Sequence, residues 1–156
     1  MAFGEMASEG FSYIPGENEY GPTVEIAIGS FGNSFFTTGV KMIRLLADEG
    51  YDLIIDEVLF GDELLEKYVR NLVDHTVYFV QVTCDLGVMQ EREVSRGDRE
   101  IGFANNQLPK VHGPTRYYDL TVDTTGNTSL DCAEKILLYI KKNKNPQGFR
   151  KLNELL

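Results

Sequence analysis

Three stretches of the chain repeat their apolar residues every three or four positions. From Ser30 to Asp48 these are Phe31, Phe35, Met42, Leu45 and Leu46, with Gly50 where a C-terminal cap belongs; this predicts a long amphipathic helix. Leu64, Leu65, Tyr68, Val69 and Leu72 predict a second. Leu130, Ala133, Ile136, Leu137 and Ile140 predict a last one, which Thr128 can cap with Asp131 three residues on. Between them lie short apolar runs at residues 51–55, 77–82 and 118–122, the pattern of strands covered on both faces. After the second run, Cys84 and Asp85 open a further helical segment that leads to Arg92, Arg96 and Arg99.

The remaining stretches lack a period. Residues 1–20 scatter Phe3, Phe11, Tyr13 and Ile14 among Gly, Glu and Ser, which predicts a loop with short helical pieces. Pro15-Gly16 and Gly21-Pro22 mark turns around an acidic connection containing Glu17 and Glu19. Residues 102–118, with Asn105, Asn106, Pro109, Gly113 and Pro114, predict a long lid-like loop. The tail, residues 141–156, is expected on the surface, with Phe149, Leu152 and Leu155 docking a final turn. Helices and strands in this alternation predict an α/β domain of three layers around a parallel sheet.

Composition narrows the function classes. At 156 residues the chain fits one domain. Its 24 acidic residues against 15 basic ones give a net charge of -9, which disfavours nucleic acid and anionic membrane surfaces as partners. Cys84 and Cys132 suggest no disulfide framework and fit a reduced, cytoplasmic setting. No apolar run approaches the length of a membrane span.

Ligands of such sheets sit at the carboxyl ends of the strands. The sequence places Asp56 and Glu57 at the first end, Cys84 and Asp85 at the second, and Asp123, Thr124 and Thr125 at the third. Carboxylates there suit a Mg²⁺ ion held through water, and Arg96 and Arg99 suit the charge of a transferring phosphoryl group. The same acids can cap helices, and Glu91, Arg92, Glu93, Arg96 and Arg99 can form a solvated helix face.

The ordered series Cys84-Asp85, Glu91-Arg92-Glu93, Arg96-Gly97-Asp98-Arg99, Gly102, Ala104, Gln107, Val111-His112, Tyr118-Asp119 and Val122-Asp123-Thr124-Thr125 resembles the chloramphenicol phosphotransferase-like family of P-loop kinases. Residues 54–60 (IIDEVLF) and Ala2-Phe3-Gly4 resemble two further stretches of that family. The resemblance implies a P-loop-kinase-like α/β fold that uses ATP and Mg²⁺ to phosphorylate a hydroxyl of a small molecule, an antibiotic in the type member. By position, Arg96 and Arg99 would be lid arginines on the phosphates, with Arg92 supporting their helix. Asp56 would be the acid near Mg²⁺, Thr124 and Thr125 would flank the adenine, and Gln107 and His112 would lie where the lid closes.

Two departures qualify what the resemblance implies. The family opens with a strand and a GxxxxGK(S/T) loop, the Walker A cradle, and no such run occurs in these residues; GSFGNS at residues 29–34 lacks the Gly-Lys pair. The residue two past AFG, an Asp in the family, is Met6 here, leaving Glu5, one position away, as the candidate base. Residues 1–140 are thus expected to form a kinase-like domain short of its first strand, either a truncated start or a remnant, with 141–156 as a tail. ATP-dependent O-phosphorylation is expected to be impaired or absent in this form. The alternatives are a non-catalytic remnant that acts as an interaction protein, able to self-associate, and a kinase for another small-molecule or nucleotide substrate.

Overall fold

The computed structural model describes residues 9–59, 61–98, 100–113 and 116–156. The chain begins with an antiparallel hairpin of β1 (Phe11–Asn18) and β2 (Gly21–Ile28). There follow α1 (Ser30–Asp48), α2 (Asp62–Leu72), β3 (Val80–Thr83), α3 (Leu86–Arg96) and α4 (Phe103–Val111). β4 (Leu120–Asp123), α5 (Ser129–Lys142) and α6 (Gly148–Asn153) complete it. The protein is mixed α/β, and β3 pairs with β4 in parallel, Val80 opposite Leu120 and Thr83 opposite Asp123. Among the described residues no helix is long and apolar enough to cross a membrane.

The core forms where helix faces meet. Val40 of α1, Leu65, Tyr68, Val69 and Leu72 of α2, and Phe149 and Leu152 of α6 make one buried cluster, with Phe79 and Val77 packed against it. Of the three residues expected to dock the tail, Phe149 and Leu152 do so, whereas Leu155 remains exposed. Asp119 secures the tail, because its carboxylate accepts the N–H groups of Phe79 at 2.8 Å, Gln147 at 2.6 Å and Gly148 at 2.9 Å. Gly148 permits that approach, since a Cβ there would lie 2.7 Å from the Tyr117 carbonyl oxygen.

Three local expectations are corrected. Residues 11–20 are not a loop but β1 and its turn, so Pro15-Gly16 lies within a strand, opposite Val24 and Thr23. Residues 103–111 form a helix, although Pro109 removes the N–H that would bond the Asn105 carbonyl. The Nδ2 of Asn18 donates to that carbonyl instead, at 2.9 Å, and the loss is repaired from the hairpin. The apolar run at 51–55 belongs to no sheet, and its side chains remain open, Ile54 completely. Among the described residues the run finds no ladder partner, and residues 55–59 and the strand β3 line one groove.

Candidate functional site

Because β3 and β4 run in parallel and in register, their carboxyl ends deliver two short loops to one edge. Asp85 caps α3, its Oδ1 accepting from the N–H groups of Gly87 at 2.9 Å and Val88 at 3.3 Å. Thr124 ties the loops together, its N–H and Oγ1 both donating to the Thr83 carbonyl, at 2.9 and 3.0 Å. Thr125 Oγ1 accepts from the Asp85 N–H at 2.8 Å and donates to Asp123 Oδ1 at 2.6 Å. The hydroxyl and N–H of Thr125 hold the Asp123 carboxyl below the usual carboxylate range.

From α3, Arg92 donates to the Thr124 carbonyl at 2.7 Å, to Thr124 Oγ1 at 3.1 Å and to the Cys84 sulfur at 3.4 Å. Two residues of the expected nucleotide side, Arg92 and Thr124, therefore make a strut between helix and loop. Arg96 ends α3 as an exposed residue, just before Gly97 takes the left-handed conformation that stops the helix.

A groove of about 380 Å³ opens beside this edge. That volume falls within the usual range for small-molecule sites, about 300–1,000 Å³. Asp56 and Glu57 line it, as do the length of β3, Gln107 and His112 of the α4 region, Thr124 and Arg116. Of the residues singled out by sequence, the structure brings Asp56, Gln107, His112 and Thr124 to one groove. Arg92, Arg96 and Thr125 are not among its lining residues. Glu5 and Arg99, like Met6, lie outside the described residues. A second hollow, beside His75, Lys144 and Arg150, measures about 40 Å³ and is too small for a nucleotide.

Two titratable groups of the groove, Glu57 and His112, are shifted from their ordinary values. Glu57 Oε1 accepts from the Val58 N–H at 3.0 Å, and the Tyr68 hydroxyl donates to Oε2 at 3.5 Å. Burial raises the Glu57 carboxyl above its ordinary value, with a smaller push from neighbouring Asp56, and burial also takes the Tyr68 hydroxyl up to about 12. His112 Nδ1 lies 3.3 Å from the Tyr118 hydroxyl, and burial, aided by Arg116, lowers its pKa and favours the neutral ring.

Arg116 has no counterpart in the sequence reading. Its guanidinium is buried and donates to the carbonyls of Val111, Leu59 at 2.8 Å and Gly61 at 2.8 Å, pinning the end of α4 to the start of α2. Among the described residues Nε has no hydrogen-bond partner. A single Arg in an aperiodic stretch carries no signal that would single it out. Glu93 was hidden in the same way: it read as part of a charged face, but it is buried and its two oxygens accept the N–H groups of Gly102 and Ala104, at 2.8 and 3.0 Å.

Residues 10–141 match the family described as chloramphenicol phosphotransferase-like protein, and the chain belongs to it. It is also similar to two proteins of Mycobacterium tuberculosis, strains CDC 1551 / Oshkosh and H37Rv, each named "Putative O-phosphotransferase". The identity to each is 25% over 134 residues, covering 86% of this chain and 56% of the relative. The chain thus spans about half the length of the curated relatives it matches.

Proposed function

We propose that the chain carries the acid-bearing and lid-bearing part of an ATP-dependent O-phosphotransferase for a small-molecule hydroxyl. The observation that supports this most is the convergence of Asp56 and Glu57 with Thr124, Gln107 and His112 on one groove that runs along β3. Family membership supports the reaction class.

The residues fit a hard cation in part. Asp56 and Glu57 are adjacent oxygen donors, and among the described residues no group of three metal-ligating side chains occurs. Mg²⁺ commonly binds through one or two carboxylates, with phosphate and water oxygens completing its shell. Bound there, it would neutralise developing phosphate charge. The fit to the triphosphate itself is poor among the described residues: Arg92 and Arg116 are committed to carbonyls, and Arg96 does not line the groove. Turnover by these residues alone is therefore expected to be weak or absent.

The side chains have distinct tasks in this reading. Asp56 holds the cation. Glu57, whose raised pKa brings it closer to neutral pH, accepts the proton of the acceptor hydroxyl. Gln107 and neutral His112 hydrogen-bond the acceptor. Calorimetric titration with ATP and Mg²⁺ tests the assignment: weak binding that Asp56→Asn abolishes supports it, and binding unchanged by Asp56→Asn together with Glu57→Gln overturns it.

A further inference from the structure

Helix α1 has two apolar faces, and the fold uses one. Val40 belongs to the buried cluster, with Ile43 and Ala47 packed against it, and Phe36 meets Phe11 of the hairpin edge to face at 5.7 Å. At 100° per residue, Phe31, Phe35, Met42 and Leu45 form a separate stripe well away from Val40. These four are 65%, 62%, 61% and 60% exposed. Read through Thr38, their spacing alternates four and three, the spacing of a helix–helix seam.

We infer that this stripe is a two-fold interface at which α1 of a second copy of the chain packs antiparallel. The stripe is self-complementary about its midpoint. With Thr38 and Gly39 at the two-fold axis, Phe31 of each copy faces Leu45 of the other, and Phe35 faces Met42. Thr38 and Gly39 are the small residues at the middle of the seam, and among the described residues no atom lies within 4 Å of where a Gly39 Cβ would stand, so the axes can approach closely there.

Charge selects this orientation. The first half of α1, from Ser30 to Val40, contains no charged residue, whereas Lys41, Arg44 and Asp48 occupy the second half. Antiparallel packing sets each charged half against an uncharged one; parallel packing would set Lys41 against Lys41. The N-terminus of α1 has no side-chain cap and no acid in its first turn. Antiparallel packing brings Glu49 of the second copy, four residues beyond Leu45, to that positive helix end. With roughly 150–250 Å² for each phenylalanine, and Met42 and Leu45 beside them, the open part of the stripe is on the order of 500 Å² per copy. Two copies then bury about 1,000 Å², the low end of biological interfaces, which is the size of a weak, reversible dimer.

Sedimentation velocity of the chain, with Phe35→Glu and Thr38→Cys variants, tests the inference. The expected results are a dimer, a monomeric Phe35→Glu variant with unchanged helical circular dichroism, and a Thr38→Cys variant that forms an intersubunit disulfide with copper phenanthroline when the unmodified chain does not. A monomeric unmodified chain overturns the inference. So does a dimer that survives Phe35→Glu and is not cross-linked through residue 38, because the contact then lies elsewhere, such as the open edge of β3.

Discussion

Arg92 of α3 donates to the Thr124 carbonyl at 2.7 Å, so the helix after β3 and the loop after β4 are joined by one guanidinium. The same group reaches Thr124 Oγ1 and the Cys84 sulfur, which takes a planar fork of donors. Arg92→Ala should lower stability by about 1 kcal/mol, the low side for a hydrogen bond to a charged group because the site is exposed. Arg92→Lys should fail to restore it. Thermal unfolding checks this; a loss of roughly 2–4 °C is expected for a chain of this size, and full rescue by Lys would contradict the fork.

Glu93 organises the segment that follows. It leaves the solvated face suggested by sequence and serves as the acceptor for the first turn of α4, where Gly102 holds a φ of 114° that other residues rarely adopt. Removing the carboxylate would leave two backbone donors unmatched, at about 1–3 kcal/mol each when buried. Glu93→Ala should therefore cost roughly 2–4 kcal/mol, and hydrogen exchange should accelerate at residues 102–106 before it does in α5. Exchange that rises uniformly across the chain would argue against a local cap.

Arg92 and Glu93 show what a sequence can disclose. Helix α1 and the capping box of Thr128 with Asp131 were visible because helix periodicity and a local cap are written in neighbouring residues. The hairpin was missed because Pro15-Gly16 and Gly21-Pro22 imitate turn punctuation, while the actual turn falls at residues 19 and 20. Helix α4 was missed because its repairs come from afar: Asn18 bonds the carbonyl that Pro109 frees, and Glu93 caps the first turn. Of the groove, Thr124 follows β4 as the order of elements implies, whereas Asp56 and Glu57 line it without a strand before them. The commitments of Arg92 and Arg116 to carbonyls were not legible, since hydrogen-bond partners distant in sequence leave no periodic trace.

Asp119 should be the residue on which the tail depends. Asp119→Ala removes the acceptor shared by Phe79, Gln147 and Gly148, and α6 with Phe149 and Leu152 should then detach from α2. Limited proteolysis should release residues after 143 faster than in the unmodified chain. Gly148→Ala should act in the same direction, because its Cβ would meet the Tyr117 carbonyl and Asp119. Unchanged cleavage in both variants would contradict the role given to Asp119.

His112 should make stability fall on the acid side of neutrality. Its folded pKa lies below the ordinary 6.5, so just below that pH the unfolded chain binds more protons than the folded one. The contribution is therefore complete above 6.5 and disappears as pH falls through the folded value. His112→Gln should flatten the denaturation midpoint across that window, and an unaltered slope would remove His112 as its source.

The most direct test of the central claim is phosphate transfer from ATP, with Mg²⁺, to small-molecule hydroxyl acceptors by residues 1–156. The groove supplies carboxylates for a cation and a proton, and the described residues provide no cradle for the triphosphate. The account predicts transfer no faster than in the Asp56→Asn, Glu57→Gln double variant. Sustained transfer by the unmodified chain, abolished in that variant, would show that the chain holds the phosphates itself and would contradict the account.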